Sequence, residues 1–376
     1  MQMERKRILD LVKDGKLSTE EALTLLEALD NENKRKDENV HDIKHEIDSA
    51  AKGNHDQDNH ANKEDAEEGF QFNATREKIL DFVNSAVKKI KEFEFPFNQS
   101  VEFPHVFQQP EAEFTQIDID VANGHVEIKP WDQPDTRVEC QAKVYRKDQR
   151  DDARSFFIEN SYFSVENKRL RFSTQSKWMK VDTVVYVPRS TYEKAIIRTF
   201  NGRITAEKLD VQDFKTKTAN GKISLHDMIT DKLEAETANG KITIQNSKAK
   251  RLAAETMNGQ IDVVGSYHIV DLQSFNGNVH CTLKNQADTV HVKAVTGNIN
   301  LFLPDGCGVE GECKSNFGSI KIELDDVETI SEKKDIAQKQ ISFKKSGETE
   351  ELTRVFADTK TGSVNIKKVE KKEAVL

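Results

Sequence analysis

The sequence contains little cysteine, is lean in apolar residues and lacks long apolar runs. Its four cysteines in 376 residues are too few for a disulfide framework, which indicates a reduced, cytoplasmic protein. No run of about 18 apolar residues occurs, so we expect no transmembrane helix. The basic start, Glu4 to Arg7, is not followed by the apolar segment of a signal peptide, so we do not expect ordinary secretion. Peripheral attachment to a membrane and export without a signal peptide both stay open.

The charge balance is acidic. The formal net charge is −9, from 56 Lys and Arg against 65 Asp and Glu, and this argues against binding to duplex nucleic acid, which needs a basic surface. Hydrophobic residues make up 36% and charged residues 32% of the chain. Globular averages are about 45–50% apolar and about 25% charged. The composition therefore predicts a very polar or disordered segment beside a packed domain.

Residues 1–29 have the pattern of a small α-helical hairpin. Gly15 ends the first helix, and Ser18 with Glu21 forms a capping box for the second. Two helices of about ten residues bury too little apolar surface to fold firmly alone. Their apolar face is therefore expected to dock on a protein partner or on another copy of the chain, or else on the rest of this chain. The docking side chains would be Ile8, Leu9, Val12, Leu23 and Leu26.

Two further segments precede the β-rich part of the chain. Residues 30–69 are acidic and hold few large apolar side chains, so we predict a disordered linker that tethers the helical hairpin. Residues 75–93 are amphipathic, with Lys88, Lys89 and Lys91 at one end. A basic amphipathic helix can lie on an anionic membrane, pack on the edge of a domain or bind a partner, and the pattern alone does not choose.

From residue 111 onward the apolar period changes to two and a repeat appears. Successive glycines of an Asn-Gly pair are separated by 19, 19, 19 and 18 residues. The pairs are Asn201-Gly202, Asn220-Gly221, Asn239-Gly240, Asn258-Gly259 and Asn276-Gly277. Weaker copies follow at Gly297, Gly318 and Gly362.

Two architectures fit this repeat. Asn and Gly tolerate positive φ, so each pair predicts a tight turn, and isolated Asn-Gly hairpins would give an antiparallel meander. Stacked coils of about 19 residues would instead give a solenoid. The constant period favours a right-handed β-solenoid-like domain over residues 111–376. Within it, the charged residues 326–350 predict an inserted loop or a cap over the open end.

The motifs that carry chemistry are weak. Residues 306–311 match G-x-G-x-x-G, but an alternating strand pattern follows instead of a helix, so we reject a dinucleotide site. His41 and His45 loosely match a zinc motif within the predicted linker, where no core would hold the metal. The candidates for a carboxylate cluster of a glycan-cleaving enzyme are Asp210, Asp213, Asp227 and Asp231, yet the repeats carry few aromatic residues. We predict no catalytic, cofactor-binding or metal-binding residue.

The repeat and the helical hairpin together resemble a known family. Residues 233–244 and 252–263 carry the unit Thr-x-Asn-Gly-x-Ile-x-apolar, and residues 4–9 and 15–26 carry the helical pattern. Both are similar to bacterial β-strand-repeat proteins of the YvlB and LiaX type, whose repeat domain has no known function and is loosely called adhesin-like. The resemblance implies a β-solenoid, a Gram-positive source and a role in cell-envelope stress responses beside small membrane regulators. It supplies no catalytic residues.

These observations lead to a functional expectation and two alternatives. We expect a non-enzymatic interaction or regulatory protein whose solenoid is a rigid scaffold. Its N-terminal helices would dock a protein partner, expected to be a membrane-bound envelope-stress regulator, or would mediate homo-oligomerisation. One alternative is a peripheral membrane or cell-surface binding protein that uses residues 75–93. The other, less favoured, is a polysaccharide-active enzyme. No cofactor, metal or nucleic acid is expected.

Overall fold

The computed structural model describes residues 100–334, 338–348 and 350–369. The predicted hairpin (1–29), linker (30–69) and amphipathic helix (75–93) lie outside the described residues. Those described form 23 strands and the helix α1 (Arg150–Glu159). The first strands are β1 (Ser100–Gln109), β2 (Gln116–Asn123), β3 (Val126–Trp131), β4 (Thr136–Tyr145), β5 (Ser161–Glu166), β6 (Arg169–Thr174), β7 (Met179–Pro188), β8 (Thr191–Asn201), β9 (Ile204–Glu207), β10 (Asp210–Asn220), β11 (Ile223–His226) and β12 (Ile229–Asn239). The others are β13 (Ile242–Asn258), β14 (Ile261–Asn276), β15 (Val279–Leu283), β16 (Thr289–Thr296), β17 (Ile299–Leu303), β18 (Gly308–Ser315), β19 (Ile320–Glu323), β20 (Glu328–Lys334), β21 (Lys339–Lys345), β22 (Leu352–Thr359) and β23 (Val364–Lys368).

The strands form two layers. Layer 1 has the order β5-β6-β2-β8-β10-β12-β13-β14-β16-β22-β18-β21-β20. Layer 2 has the order β1-β4-β7-β3-β9-β11-β13-β14-β15-β17-β23-β19. The long strands β13 and β14 run round one corner and take part in both layers.

The Asn-Gly pairs connect the layers instead of closing hairpins. β10 precedes Gly221 in layer 1, β11 follows it in layer 2, and each pairs in parallel with the equivalent strand of the next coil. Equivalent asparagines of neighbouring coils, such as Asn201 and Asn220, are 19 residues apart. This mainly β arrangement is solenoid-like, and it is not the antiparallel meander that the sequence left as an alternative.

The core between the layers follows the alternation of the sequence. In β10 and β11 the buried side chains include Phe214, Ile223 and Leu225, whereas Lys215 and Lys217 point outward. Burying one large aliphatic or aromatic side chain contributes roughly 1.5–3 kcal/mol. Because every coil contributes equivalent positions, the apolar core runs without a break along the stack.

The N-terminal end of the stack is covered. β1 begins at Ser100, ahead of residue 111 where the sequence pattern placed the first strand, and it pairs with β4. The helix α1 lies at this end, and its Ala153 and Phe157 are fully buried. The Phe157 ring lies 5.7 Å from that of Phe103 on β1. Aromatic packing under α1 thus closes this end of the core.

The C-terminal end departs from the order of the sequence. Of the two alternatives for residues 326–350, the inserted loop is wrong, because β20 and β21 pair with each other and β21 pairs with β18, which extends layer 1 at the open end. The last coil, β22 and β23, lies between the coil of β16 and β17 and the coil of β18 and β19. The chain therefore builds its outermost coil first and then returns to fill the position beneath it.

Side-chain hydrogen bonds join neighbouring coils along the Asn-Gly line. The Asn220 amide donates to the Asn201 side-chain oxygen at 2.9 Å, and the Thr218 hydroxyl donates to the Gly202 carbonyl at 3.2 Å. Asn201, Asn239, Asn258 and Asn276 each donate in the same way to the preceding asparagine at 2.8–2.9 Å. The polar groups of this edge are satisfied by the stacking itself.

Close approach of the coils, and not a left-handed backbone, requires glycine at most of these bends. A Cβ on Gly221 would lie 1.9 Å from the Gly202 carbonyl oxygen, and Gly202, Gly240 and Gly259 are equally crowded. None of these four has φ in the left-handed range, whereas Gly277 does, at 152°. The sequence argument from positive φ is therefore wrong for the four bends at Gly202, Gly221, Gly240 and Gly259.

We expect Gly221→Ala to lower the free energy of unfolding by more than about 2 kcal/mol, because the new methyl group must push two coils apart. Lys222→Ala, at the next and exposed position, is the control and should change it by less than about 0.5 kcal/mol. Urea unfolding followed by circular dichroism measures both. Equal effects of the two substitutions would contradict the close-approach argument.

Candidate interaction faces

The outward face of layer 1 carries a network of ion pairs. Lys215 contacts Glu234 at 2.7 Å and Glu236 at 3.1 Å, and Lys217 contacts Glu236 at 2.8 Å. Burial alone would raise the pKa of Glu236, but Lys217 and Lys215 more than offset it and hold that pKa below its ordinary value. These charges satisfy one another between two neighbouring coils, because β10 and β12 are paired in register.

Glu255 lies beside this network, where the charge of Lys217, which pairs with Glu236, offsets its burial only in part. Its side chain is 6% exposed, and burial, followed by the charges of Glu236 and Asp271, raises its pKa to about 8. Gln273 is in register with it on the next strand and is also buried. The Gln273 amide nitrogen donates to Asp271, while its oxygen has no partner among the described residues. A protonated Glu255 would place a donor next to that oxygen.

The outward face of layer 2 contains a groove of about 530 Å³ near the N-terminal end of the stack. Its floor follows one register row across five strands: Val106, Glu139, Val184, Glu127 and Thr205. The walls include Pro104, His105, His125, Arg137, Gln141, Asp182 and Arg203. Apolar side chains thus alternate with groups of both charges along a preformed depression.

Hydrogen bonds fix the polar wall of the groove. Asp182 accepts the His125 backbone N–H at 2.9 Å, and His125 Nδ1 accepts the Arg203 backbone N–H at 2.9 Å. Burial would raise the pKa of Asp182, but the hydrogen bonds from His125 and Lys180 lower it overall. The wall is therefore held in one arrangement before any ligand arrives.

Among the described residues, the chemical groups that the sequence singled out are not assembled into a reactive site. Burial raises the pKa of Cys140, Cys281 and Cys313 to about 12, and that of Cys307 is also raised, so the four free thiols are poor nucleophiles. Asp210 accepts a hydrogen bond from Thr191 at 3.1 Å. Residues 306–311 lead into strand β18, as expected. In the described ranges no cluster of three His, Cys, Asp or Glu side chains is suited to a metal ion.

The predicted docking residues Ile8, Leu9, Val12, Leu23 and Leu26 lie outside the described residues. The ten Asn-Gly residues are brought together as the single line described above. The groove was missed by sequence reasoning, since its residues come from five strands spread over residues 104–205. Within the part of the chain that the structure covers, α1 is too short and too polar to cross a bilayer.

We expect stability to fall as pH rises from about 5 to 8, because folded Glu255 keeps its proton while the unfolded chain loses it. Each unit by which the pKa is raised corresponds to about 1.4 kcal/mol. Glu255→Gln, which is always neutral, should remove this component and stabilise the protein most above pH 8.

Urea unfolding at pH 5, 7 and 8.5 tests the role of Glu255. Glu207→Gln, at a half-buried glutamate of layer 2, is the matched control and should keep the wild-type slope. An unchanged slope in Glu255→Gln would show that Glu255 is ionised throughout.

Comparison with known proteins places the chain in a family. A model of the Toastrack DUF4097 domain matches residues 114–367, and a SHOCT-like domain model matches residues 3–34. The uncharacterized protein YvlB of Bacillus subtilis is 43% identical over 370 residues, covering 98% of this chain and 99% of its own. A candidate adhesin from Bacteroides fragilis covers 73% of this chain and 99% of its own, at 13% identity and a TM-score of 0.40. A candidate lipid-binding protein from Parabacteroides distasonis covers 71% and 97%, also at 13% identity and a TM-score of 0.40. The resemblance to YvlB-type proteins is confirmed, and the chain belongs to the Toastrack DUF4097 family.

Proposed function

We propose that this protein is a non-enzymatic interaction protein whose coil stack presents the groove of layer 2 to a protein partner. The observation that carries the proposal is the groove itself: a depression of about 530 Å³ whose polar wall is already held by hydrogen bonds. Pre-organised surfaces bind at a lower entropic cost than mobile ones. The buried thiols, and the pairing of Glu234 and Glu236 with lysines, favour binding over catalysis.

The chemistry of the groove favours a protein partner. Val106 and Val184 offer apolar contacts, and Glu127, Glu139 and Arg203 offer charged groups of both signs around them. An apolar centre with a polar rim is typical of protein interfaces. Val106 is 44% exposed, so it is available for contact before a partner binds.

We assign the N-terminal helices to a second docking element for the same partner. The support is the apolar pattern of residues 1–29 and the match of a SHOCT-like model to residues 3–34. A tether between two docking elements raises the effective concentration of the second contact once the first has formed. From the family resemblance, we propose a membrane-bound regulator of the cell-envelope stress response as the partner. The four free buried thiols support a location in the reducing cytoplasm, at the membrane surface.

The groove is tested by the double variant Val106→Lys, Arg203→Glu in a crosslinking pull-down with membranes retained. We expect at least a tenfold loss of partner capture, because an apolar contact and a charge of the groove are both changed. Lys222→Glu is the matched control, since Lys222 occupies the position of Arg203 one coil further on, outside the groove. Equal capture by both variants would remove the groove from the proposal.

The N-terminal helices are tested by the double variant Leu9→Asp, Leu26→Asp. Capture of the same partner should fall, while the circular dichroism of the coil stack stays unchanged. Capture at the wild-type level would exclude the helices as a docking element. Recovery of anionic lipid alone, by every variant, would favour the peripheral membrane alternative over the protein partner.

A further inference from the structure

The two layers end at different heights at the C-terminal end of the stack. Layer 2 stops at β19, whose only partner among the described strands is β23. Layer 1 continues past β18 with β21 and β20. At a strand spacing of about 4.8 Å, layer 1 overhangs layer 2 by roughly 10 Å. The end is therefore a step, with a notch in layer 2 under the overhang of layer 1.

The notch leaves apolar core residues incompletely covered. Ile320 and Ile322 of β19 are in register with Val364 and Ile366 of β23, which are fully buried, yet both remain partly exposed. The Val364 N–H donates to the Ser319 carbonyl, so Ser319 directs its carbonyl toward β23. Because successive residues of a strand direct their backbone groups to opposite sides, the N–H and C=O of Ile320 point away from β23, to the open side. β19 thus offers both a hydrogen-bonding edge and an apolar face.

The most exposed large apolar side chains of the described residues also lie at this end. Phe317, in the bend before β19, is 73% exposed, and Ile330, bulged out of β20, is 64% exposed. At the opposite end α1 buries Phe157 completely. Exposed apolar groups around an open strand edge mark a surface that another chain covers.

We propose that a second copy of this chain covers the step and forms an end-to-end dimer. A two-fold rotation about an axis parallel to the strands exchanges the two layers, so the overhang of each copy enters the notch of the other. β20 runs parallel to β18, and the chain reverses direction at the bend before β19. After that rotation β20 of one copy meets β19 of the other in antiparallel orientation, and two new ladders form together.

A second copy fits this step better than an extended peptide does. A peptide would fill the notch beside β19 and leave the edge of β20 unpaired, whereas the two-fold joint closes both edges at once. This contact goes beyond the proposed function and uses neither the groove nor the N-terminal helices.

Sedimentation equilibrium of the full chain tests the dimer. The wild type should approach twice the chain mass of 42.8 kDa at micromolar concentration. Phe317→Lys with Ile330→Lys changes only exposed side chains and should weaken self-association at least 100-fold, with the thermal unfolding midpoint kept. The control pair Ile158→Lys with Ile229→Lys alters side chains that are 47% and 55% exposed elsewhere on the stack, and should stay dimeric.

Two outcomes would overturn the proposal. One is a monomeric wild type. The other is a dimer that persists in the variant Phe317→Lys, Ile330→Lys but is lost in the variant Leu9→Asp, Leu26→Asp. That result would place self-association at the N-terminal helices. Hydrogen exchange supplies the second measurement: residues 319–324 should exchange slowly in the dimer and quickly on dilution. Concentration-independent exchange there would exclude strand pairing at β19.

Discussion

The distance between neighbouring coils at the Asn-Gly line is the constraint on which the rest of this structure depends. A Cβ atom on Gly221 would collide with the Gly202 carbonyl oxygen, and the same close contact recurs from coil to coil. Such close stacking brings each asparagine amide and each threonine hydroxyl within hydrogen-bonding distance of the coil before it. The strands on both sides of the bend are thereby held in register, and the two outward faces become fixed surfaces with separate properties.

Those faces divide the chemistry of the molecule. In layer 1 the charged side chains form ion pairs with one another, because lysines and glutamates of adjacent coils lie one strand spacing apart. Glu255 is the exception, since its neighbours on the next strands are Glu236 and Gln273 and not a lysine. Layer 2 leaves a depression open to solvent, bounded by groups that hold one another in place. A rigid surface with little unpaired reactivity is suited to recognition.

The sequence predicted the repeat and the alternation of the core, because each depends on residues close together in the chain. At Gly202, Gly221, Gly240 and Gly259 it placed glycine for the wrong reason, since the crowding atom belongs to another coil. At the other edge of the stack, where the chain returns from layer 2 to layer 1, no sequence pattern marks the bends. Lys208, Asp227 and Asn246 all have positive φ there, but they share no residue type. The groove and the environment of Glu255 depend on register between distant strands. The predictions for residues 1–93 concern residues that the structure does not describe.

The position of the last coil sets an order of assembly. A solenoid made by a ribosome can add coils to its growing end as they emerge, and here this holds from β8 to β17. The coil of β18 and β19 emerges next but has no native neighbour to stack on, because β22 and β23 must first occupy the place beneath it. Completion of this end therefore waits for residue 368, and until then the coil of β18 and β19 and the β20–β21 hairpin lack their native support.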